Sequence, residues 1–535
     1  MSVLSFRFVA FVAGAVLIYY LTPGKHQWKV LLLLSYAFYM LADVRAVIFI
    51  LVTSLSTFYA GKMIGRINDE FEVAVASYQG PNPKMTRDEK KALKAEEDRR
   101  KRVIMIAVLL LNFGILIALK YVGVLAKGVN FLCRILNRGY RMSGRSILVP
   151  LGISYYTFQS MGYVIDLYRR KFQPEKNLAR LMLFVSFFPQ LIQGPISRYD
   201  EFADQLYAEH RFSYTRVKHG IELSVWGLFK KLVISDRIAI LTSTIFSSPE
   251  IYGGWYLVLA TCFSMLQLYT DFSGGIDILR GVSETFGVVM PENFTRPFFS
   301  ENQGEYWRRW HITLNNWWRD YIFYPLTLSK PLVSFSKIAK KIFGNDFGKK
   351  LPILVSVIII RVINSIWHGA TTVSILGGVY YGLLLAFSFY FETKFKRLNE
   401  LLHINTECLS FKVFRCVRTF ILICVPRLVV NATSLKDAGR YIHYLFSIRN
   451  PWILFDGSLY NLGVSQKEYY VVIFSLLFLL VISLVQEKGI VIRDLLDKQN
   501  ILFRGLIYIV FIYVIILFGA YGAGYDASAF IYQQI

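Results

Sequence analysis

Apolar runs recur along the whole 535-residue chain, and they leave few folds open. They fall at Phe8–Leu21, Val30–Ala42, Ala46–Met63, Val103–Leu125, Ile147–Leu167, Met182–Ile196, Ile221–Phe246, Trp255–Tyr269, Leu351–Trp367, Val373–Phe391, Phe414–Val430, Tyr469–Val485 and Ile501–Tyr521. A helix crossing a bilayer needs about 20 mostly apolar residues. Lipid offers nothing to bond a backbone N–H or C=O, so each crossing run must satisfy its backbone internally. The expected fold class is an all-α polytopic membrane protein, with about eleven spanning helices plus re-entrant or half helices. Composition agrees: 55% of residues are hydrophobic, 16% aromatic and only 18% charged, too apolar for a soluble chain of this length. The net charge of +24 would suit nucleic acid, but in a polytopic chain it places Lys and Arg in cytoplasmic loops. No nucleic-acid partner is expected, and membrane lipids are. Phe8–Leu21 reads as a retained first span rather than a cleaved signal. The five cysteines contain no CxxC pair and read as small buried residues.

The chain is expected to form a single membrane domain over 1–535, with a charged cytoplasmic insertion at 65–102. That insertion holds Gly80-Pro81-Asn82-Pro83 and then TRDEKKALKAEEDRRKR, where Thr86 and Glu89 have the spacing of a capping box. Its Lys and Arg flank spans on both sides, which puts it inside and, three spans back, the N-terminus outside. A less apolar stretch follows Asn431, where Ser434 and Asp437 are expected to cap an interfacial helix.

Two histidines stand in the apolar, Trp-rich part of the chain. In Glu305–Leu326 (EYWRRWHITLNNWWRDYIFYPL), Trp307, His311, Asn315 and Trp318 fall on one side of an expected helix, flanked by Arg308, Arg309, Arg319 and Asp320. An interfacial aromatic belt would explain the Trp and Arg but not a His and Asn on the same side. In Ile360–Ala370 (IRVINSIWHGA), Arg361, Asn364, Ser365 and His368 fall at i, i+3, i+4 and i+7, with Trp367 beside His368. An ionisable side chain at mid-bilayer costs about 2.5–3.5 kcal/mol on insertion scales, so such residues usually serve a function. A buried neutral imidazole can take a proton from a hydroxyl, which could then attack an ester or thioester carbonyl. Gly369 is expected to end the helix. Three more polar stretches are expected to matter. SFFPQLIQGPISRY (Ser186–Tyr199) cannot form a straight span. QLYTDFSGGIDI (Gln267–Ile278) is expected to break at Gly274-Gly275, with Asp271 either orienting a histidine or capping a helix. The Tyr-rich Leu148–Lys171 is the third. No GxSxG, HExxH or Walker loop is present. A transporter of polysaccharide or lipid precursors would also use intramembrane charge and broken helices.

Several long segments, in order, carry a resemblance: VPLGISYYTFQSMGYVIDLYRRK, FVSFFPQLIQGPISRYDEF, WGLFKKLVISDRIA, LYTDFSGGIDILRG, MPENFTRPFFSENQGEYWRRWHITLNNWWRDYIFYPL and IWHGATTVSILGGVYYGL. They resemble the bacterial branch of the membrane-bound O-acyltransferase (MBOAT) superfamily, nearest to the alginate O-acetyltransferase type. The teichoic acid D-alanyl transferase is the second match, from which the Gly65–Arg102 insertion departs. A weaker likeness runs on to the C-terminal AFIYQQI. The resemblance implies a ring of helices around a central tunnel and a bacterial plasma-membrane location. It implies His368, from WHG, and His311, from RRWH, as catalytic residues. Trp307, Arg308, Asn315, Arg361, Asn364 and Trp367 become substrate-binding candidates. The implied donor is acetyl-CoA or another acyl thioester, with no tightly bound cofactor and no metal. The implied acceptor is a hydroxyl on a secreted or membrane-anchored SGNH-like partner that passes the acyl group to an exported polysaccharide.

Overall fold

The computed structural model describes residues 2–77, 86–136, 149–521 and 530. The Gly80–Pro83 turn, the start of the Ile147–Leu167 run and the C-terminal heptapeptide other than Phe530 lie outside them. All regular structure among the described residues is helical, apart from an isolated antiparallel bridge between Phe294 and Trp310. Six helices there are long and apolar enough to cross a bilayer: Val44–Ser77, Arg87–Gly123, Asn345–His368, Thr372–Leu401, Gln466–Glu487 and Ile501–Phe518. The chain is a multi-pass membrane protein, and it folds as two compact units.

The first unit comprises Ser5–Val217 and Val282–Pro291. It holds α1 (Phe6–Leu21), α2 (Gly24–Ala42), α3 (Val47–Ser77), α4 (Arg87–Ile135), α5 (Ile153–Tyr168), α6 (Leu178–Ser186), α7 (Phe188–Gln193) and α8 (Tyr199–Tyr207). The capping box forms as expected: Glu89 N donates to Thr86 Oγ1 at 3.2 Å and Thr86 N to the Glu89 carboxylate at 2.8 Å. From Arg87 on, α4 carries the charged segment without a break into the apolar run. Two of its charges are buried rather than solvated. Lys101 donates to Asn68 at 3.1 Å, and Glu97 accepts two bonds from Arg170 at 2.5 and 3.0 Å. The Ser186–Tyr199 stretch breaks where its proline and glycine require: α6 stops at Ser186, α7 at Gln193, and Leu183–Ser197 is buried throughout.

The second unit comprises Lys218–Gly281 and Glu292–Ile535, with Ser2–Leu4. Its helices are α9 (Tyr214–Leu228), α10 (Asp236–Ser247), α11 (Trp255–Thr285), α12 (Gln303–Arg309), α13 (Ile312–Trp318), α14 (Tyr324–Thr327), α15 (Lys330–Phe343), α16 (Asn345–His368), α17 (Thr372–Leu401), α18 (Leu409–Val430), α19 (Leu435–Ser447), α20 (Gln466–Glu487), α21 (Ile492–Asp497) and α22 (Ile501–Phe518). Asp437 N donates to Ser434 Oγ at 3.1 Å, starting α19 where the sequence places it. All five cysteines are free, but only Cys424 is buried; the other four are half-buried.

The expected break at Gly274-Gly275 does not occur, because α11 runs straight through it. The glycines serve a close helix crossing instead. A Cβ on Gly227 would lie 2.5 Å from the Gly274 carbonyl oxygen, and one on Gly274 would lie 2.8 Å from that of Gly227. A π-helical turn at Phe229–Ser235 joins α9 to α10. Successive side chains on a regular α-helix point about 100° apart, and widening the turn lets two adjacent lysines both reach α11. Lys230 Nζ bonds Ser273 at 2.9 Å and Asp277 at 2.7 Å, while Lys231 Nζ bonds Asp271 at 2.6 Å and Asp236 at 2.8 Å. Asp271 thus holds a lysine.

Candidate active site

His311 is not inside a helix. α12 stops at Arg309, and α13 starts at Ile312. Between them Trp310 pairs with Phe294, Arg309 O accepts from Thr295 N at 3.0 Å, and Ile312 N donates to Asn293 O at 3.0 Å. The expected continuous stripe from Trp307 to Trp318 therefore splits into two turns. His311 takes a left-handed backbone (φ 45°, ψ 53°), a conformation that a side chain with Cβ adopts at a cost and that recurs at functional sites. Asn315 Nδ2 holds the bend by donating to the carbonyls of Trp310 at 2.6 Å and His311 at 3.2 Å. Asn315 thus fixes the main chain under His311.

The imidazole is oriented by Asn293. Thr313 N donates to Asn293 Oδ1 at 3.0 Å, as does Thr313 Oγ1, and His311 Nδ1 lies 3.3 Å from the same oxygen. A backbone N–H can only donate, so the amide atom at this point is the oxygen. His311 Nδ1 then carries the proton, and Nε2 carries the lone pair. The ring is 2% exposed. Phe272 meets it edge-on at 4.9 Å between centroids. His311 stands between two short helices, outside the span-length ones, and burial pushes its imidazole down to about 3. It is therefore neutral at physiological pH.

His368 is the last residue of α16, and Gly369 ends the helix in extended backbone, as expected. The indole of Trp367 lies beside both imidazoles, 6.4 Å from the His311 ring and 4.4 Å from the His368 ring between centroids. The polar stripe of α16 faces α12 and α13. The Arg361 guanidinium stacks on the Trp307 ring at 3.9 Å, and Asn364 Oδ1 accepts from Trp318 Nε1 at 3.1 Å. Asn364 positions that tryptophan. Ser365 turns aside toward Gly378 of α17, where a glycine Cβ would come within 2.5 Å of its hydroxyl. Of the arginines, Arg309 is tied to Glu305 at 2.8 Å and Glu487 at 2.6 Å, while Arg308 is exposed.

The sequence matches the pattern of MBOAT, the membrane-bound O-acyltransferase family, over residues 175–425, which contain both histidines. That stretch is an MBOAT domain. The chain is similar to the probable alginate O-acetylase AlgI of Pseudomonas syringae pv. tomato, with 31% identity over 333 residues, 62% of this chain and 58% of that protein. It is similar to the peptidoglycan O-acetyltransferase of Helicobacter pylori, 29% identical over 54% of this chain and 55% of that one. It is also similar to the teichoic acid D-alanyltransferase of Bacillus subtilis, 30% identical over 45% of this chain and 59% of that one. The chain spans between half and two thirds of the length of these relatives.

Within the MBOAT domain the structure brings together His311, His368, Trp367, Trp307, Arg361, Asn315 and Asn364. Asn293 is the residue that sequence reading passed over. It stands inside the MPENFTRPFF segment, but its role depends on pairing with a segment 18 to 20 residues away, which no local periodicity records. Some buried polar atoms of the domain have no hydrogen-bond partner among the described residues: the Trp307 indole nitrogen, both amide atoms of Gln303, the Ser300 hydroxyl and Arg361 Nε. Each such group costs about 1–3 kcal/mol when left unsatisfied.

Proposed function

We propose that the chain is a bacterial plasma-membrane O-acyltransferase, with its N-terminus outside. It moves an acetyl group from acetyl-CoA to a hydroxyl on an SGNH-like partner or an exported envelope polysaccharide. The observation that carries this reading is the pair of imidazoles flanking Trp367, one of them oriented by Asn293. His368 takes the proton from the acceptor hydroxyl. The oxygen attacks the thioester carbonyl carbon, the C–S bond breaks, and the thiolate recovers the proton as it leaves. The Asn293 bond restricts His311. A neutral ring with Nδ1–H spent on Asn293 offers a lone pair, so it orients or relays a proton and does not donate to the acyl carbonyl.

The names of the relatives point to two acyl groups, acetyl and D-alanyl. Purified protein in lipid nanodiscs, given labelled acetyl-CoA and a secreted acceptor, is expected to form an acetyl ester. Turnover only with a D-alanyl carrier-protein thioester would replace the donor. Turnover with neither would favour the transporter reading.

Asn293 gives a separate expectation. Asn293→Asp keeps the acceptor oxygen, whereas Asn293→Leu removes it and frees His311 to take the other tautomer. Losses on changing a group that orients a metal-bound histidine run to about 10–100-fold, and the same scale is taken for His311. Transfer is expected to fall by that much in Asn293→Leu and to recover in large part in Asn293→Asp. Equal loss in both variants would show that the acceptor oxygen does not matter.

A further inference from the structure

One helix of the second unit is built for neither the core nor the bilayer interior. α15 (Lys330–Phe343) is about 21 Å long at about 1.5 Å per residue and carries four lysines, too short and too charged to cross. From Tyr321 to Asn345 the chain has no acidic residue. Pro331 stands in the first turn of α15, and Gly344, at φ 87°, turns the chain into α16. One face of the helix is packed. Ser336 and Ala339 are buried, Ser336 Oγ donates to Gly348 O at 2.5 Å, and a Cβ on Gly348 would lie 2.6 Å from the Lys340 backbone nitrogen. Gly348 stands among Asp346, Lys349 and Lys350, ahead of the apolar run that starts at Leu351. α15 therefore meets α16 outside the membrane stretch of that helix.

The rest of α15 has no protein cover among the described residues. Phe335, Ile338 and Ile342 fall at i, i+3 and i+7 and are 50%, 54% and 66% exposed. Lys330, Lys337 and Lys341 fall at i, i+7 and i+11 on the adjoining side. All three are exposed, and no carboxylate among the described residues pairs with them. More cations gather where α16 begins and α17 ends: Lys350 Nζ lies 5.2 Å and Lys394 Nζ 5.7 Å from the centre of the Tyr390 ring.

A stripe of bare alkyl and aryl groups beside unpaired ammonium groups suits a surface that is apolar just beneath a layer of negative charge. An anionic leaflet has that order, with acyl chains under phosphates. It is also within reach without any partner, because α15 is joined to a helix long and apolar enough to span the bilayer. A soluble acidic protein would match the lysines but would have to bring an apolar groove of its own. We infer that α15 is a docking site for anionic phospholipid headgroups, with Lys330, Lys337 and Lys341 on the phosphates and Phe335, Ile338 and Ile342 among the upper acyl chains. The site stands apart from the histidines and does not depend on the acyl-transfer reading.

The test uses full-length protein in nanodiscs, with the native cysteines replaced and a fluorophore attached at Ile338→Cys. Ile342→Cys is a second reporter on the same stripe, for the case in which the first does not fold. The discs are phosphatidylcholine with a small fixed share of nitroxide lipid, the nitroxide sitting high on the acyl chain of either phosphatidylglycerol or phosphatidylcholine. Quenching by the phosphatidylglycerol label is expected to be about threefold the stronger at low salt, within the roughly fivefold that one lysine near an anionic surface is worth. The excess is expected to vanish at high salt and in the triple variant Lys330→Gln, Lys337→Gln, Lys341→Gln. Equal quenching by the two labels with all three lysines present would overturn the headgroup site and leave plain lipid contact. A reporter that neither label quenches, but that aqueous iodide does, would overturn it in favour of a soluble partner.

Discussion

His368→Ala is expected to yield a folded, membrane-inserted protein whose acyl transfer falls by about 10²–10⁴-fold, the usual contribution of a positioned acid–base group. The fold should tolerate the change. His368 is the last residue of α16, half-exposed, and Gly369 already closes the helix behind it. Truncation there leaves the Trp367 indole in place and makes no new charge. His311→Ala should be less clean. That ring is buried against Phe272 and holds one of the three contacts on Asn293 Oδ1, so its loss opens a cavity beside the α12–α13 bend. The decisive measurement is initial acyl transfer by nanodisc-embedded protein, normalised to the amount that elutes as a monodisperse species. Transfer by His368→Ala within threefold of wild type would remove His368 from the chemistry.

Lys231→Met is expected to give the largest loss of stability among single changes in the second unit. Lys231 is 2% exposed and bridges Asp271 and Asp236, themselves scarcely exposed. Removing one partner of a buried ion pair leaves an uncompensated charge, with losses of about 3–5 kcal/mol. The compensating double change Lys231→Met with Asp271→Asn removes one stranded carboxylate and should recover part of that. Thermal unfolding in a fixed detergent checks both. A midpoint for Lys231→Met within a degree or two of wild type would show that the π-helical turn is not held by these charges.

The fold class could be read from the chain because the bilayer admits so few solutions. Once the apolar runs are recognised, helices follow from the backbone alone. The caps at Thr86 and Ser434 were legible for a similar reason, since a cap is local and its residue types are few. The glycine pair at Gly274-Gly275 was misread because a glycine that breaks a helix and one that admits a neighbouring helix look alike until the neighbour, Gly227, is placed. The polar stripe of α16 survived into the structure, since 3.6-residue periodicity holds inside a long helix. The stripe through Trp307 and His311 did not. Its backbone hydrogen bonds go to Asn293 and Thr295, residues that periodicity cannot reach. Asn293 stayed invisible for the same reason, though it decides which nitrogen of His311 can act.

The run of α16 has one more consequence. Its 24 residues place His368 about 35 Å from Asn345, at about 1.5 Å per residue, against a hydrocarbon core of about 30 Å. Lysines crowd the near end: Lys337, Lys340 and Lys341 in the last two turns of α15 just before it. Lys394, Lys396 and Arg397 end α17, which runs back from the His368 end. If that cationic end marks the inner face, His368 stands at the opposite boundary. In the proposed reaction an outer acceptor would then meet its acyl group at the rim. Loss of thiol to the inside and ester to the outside would make the step vectorial: the two products part on opposite sides and cannot readily recombine.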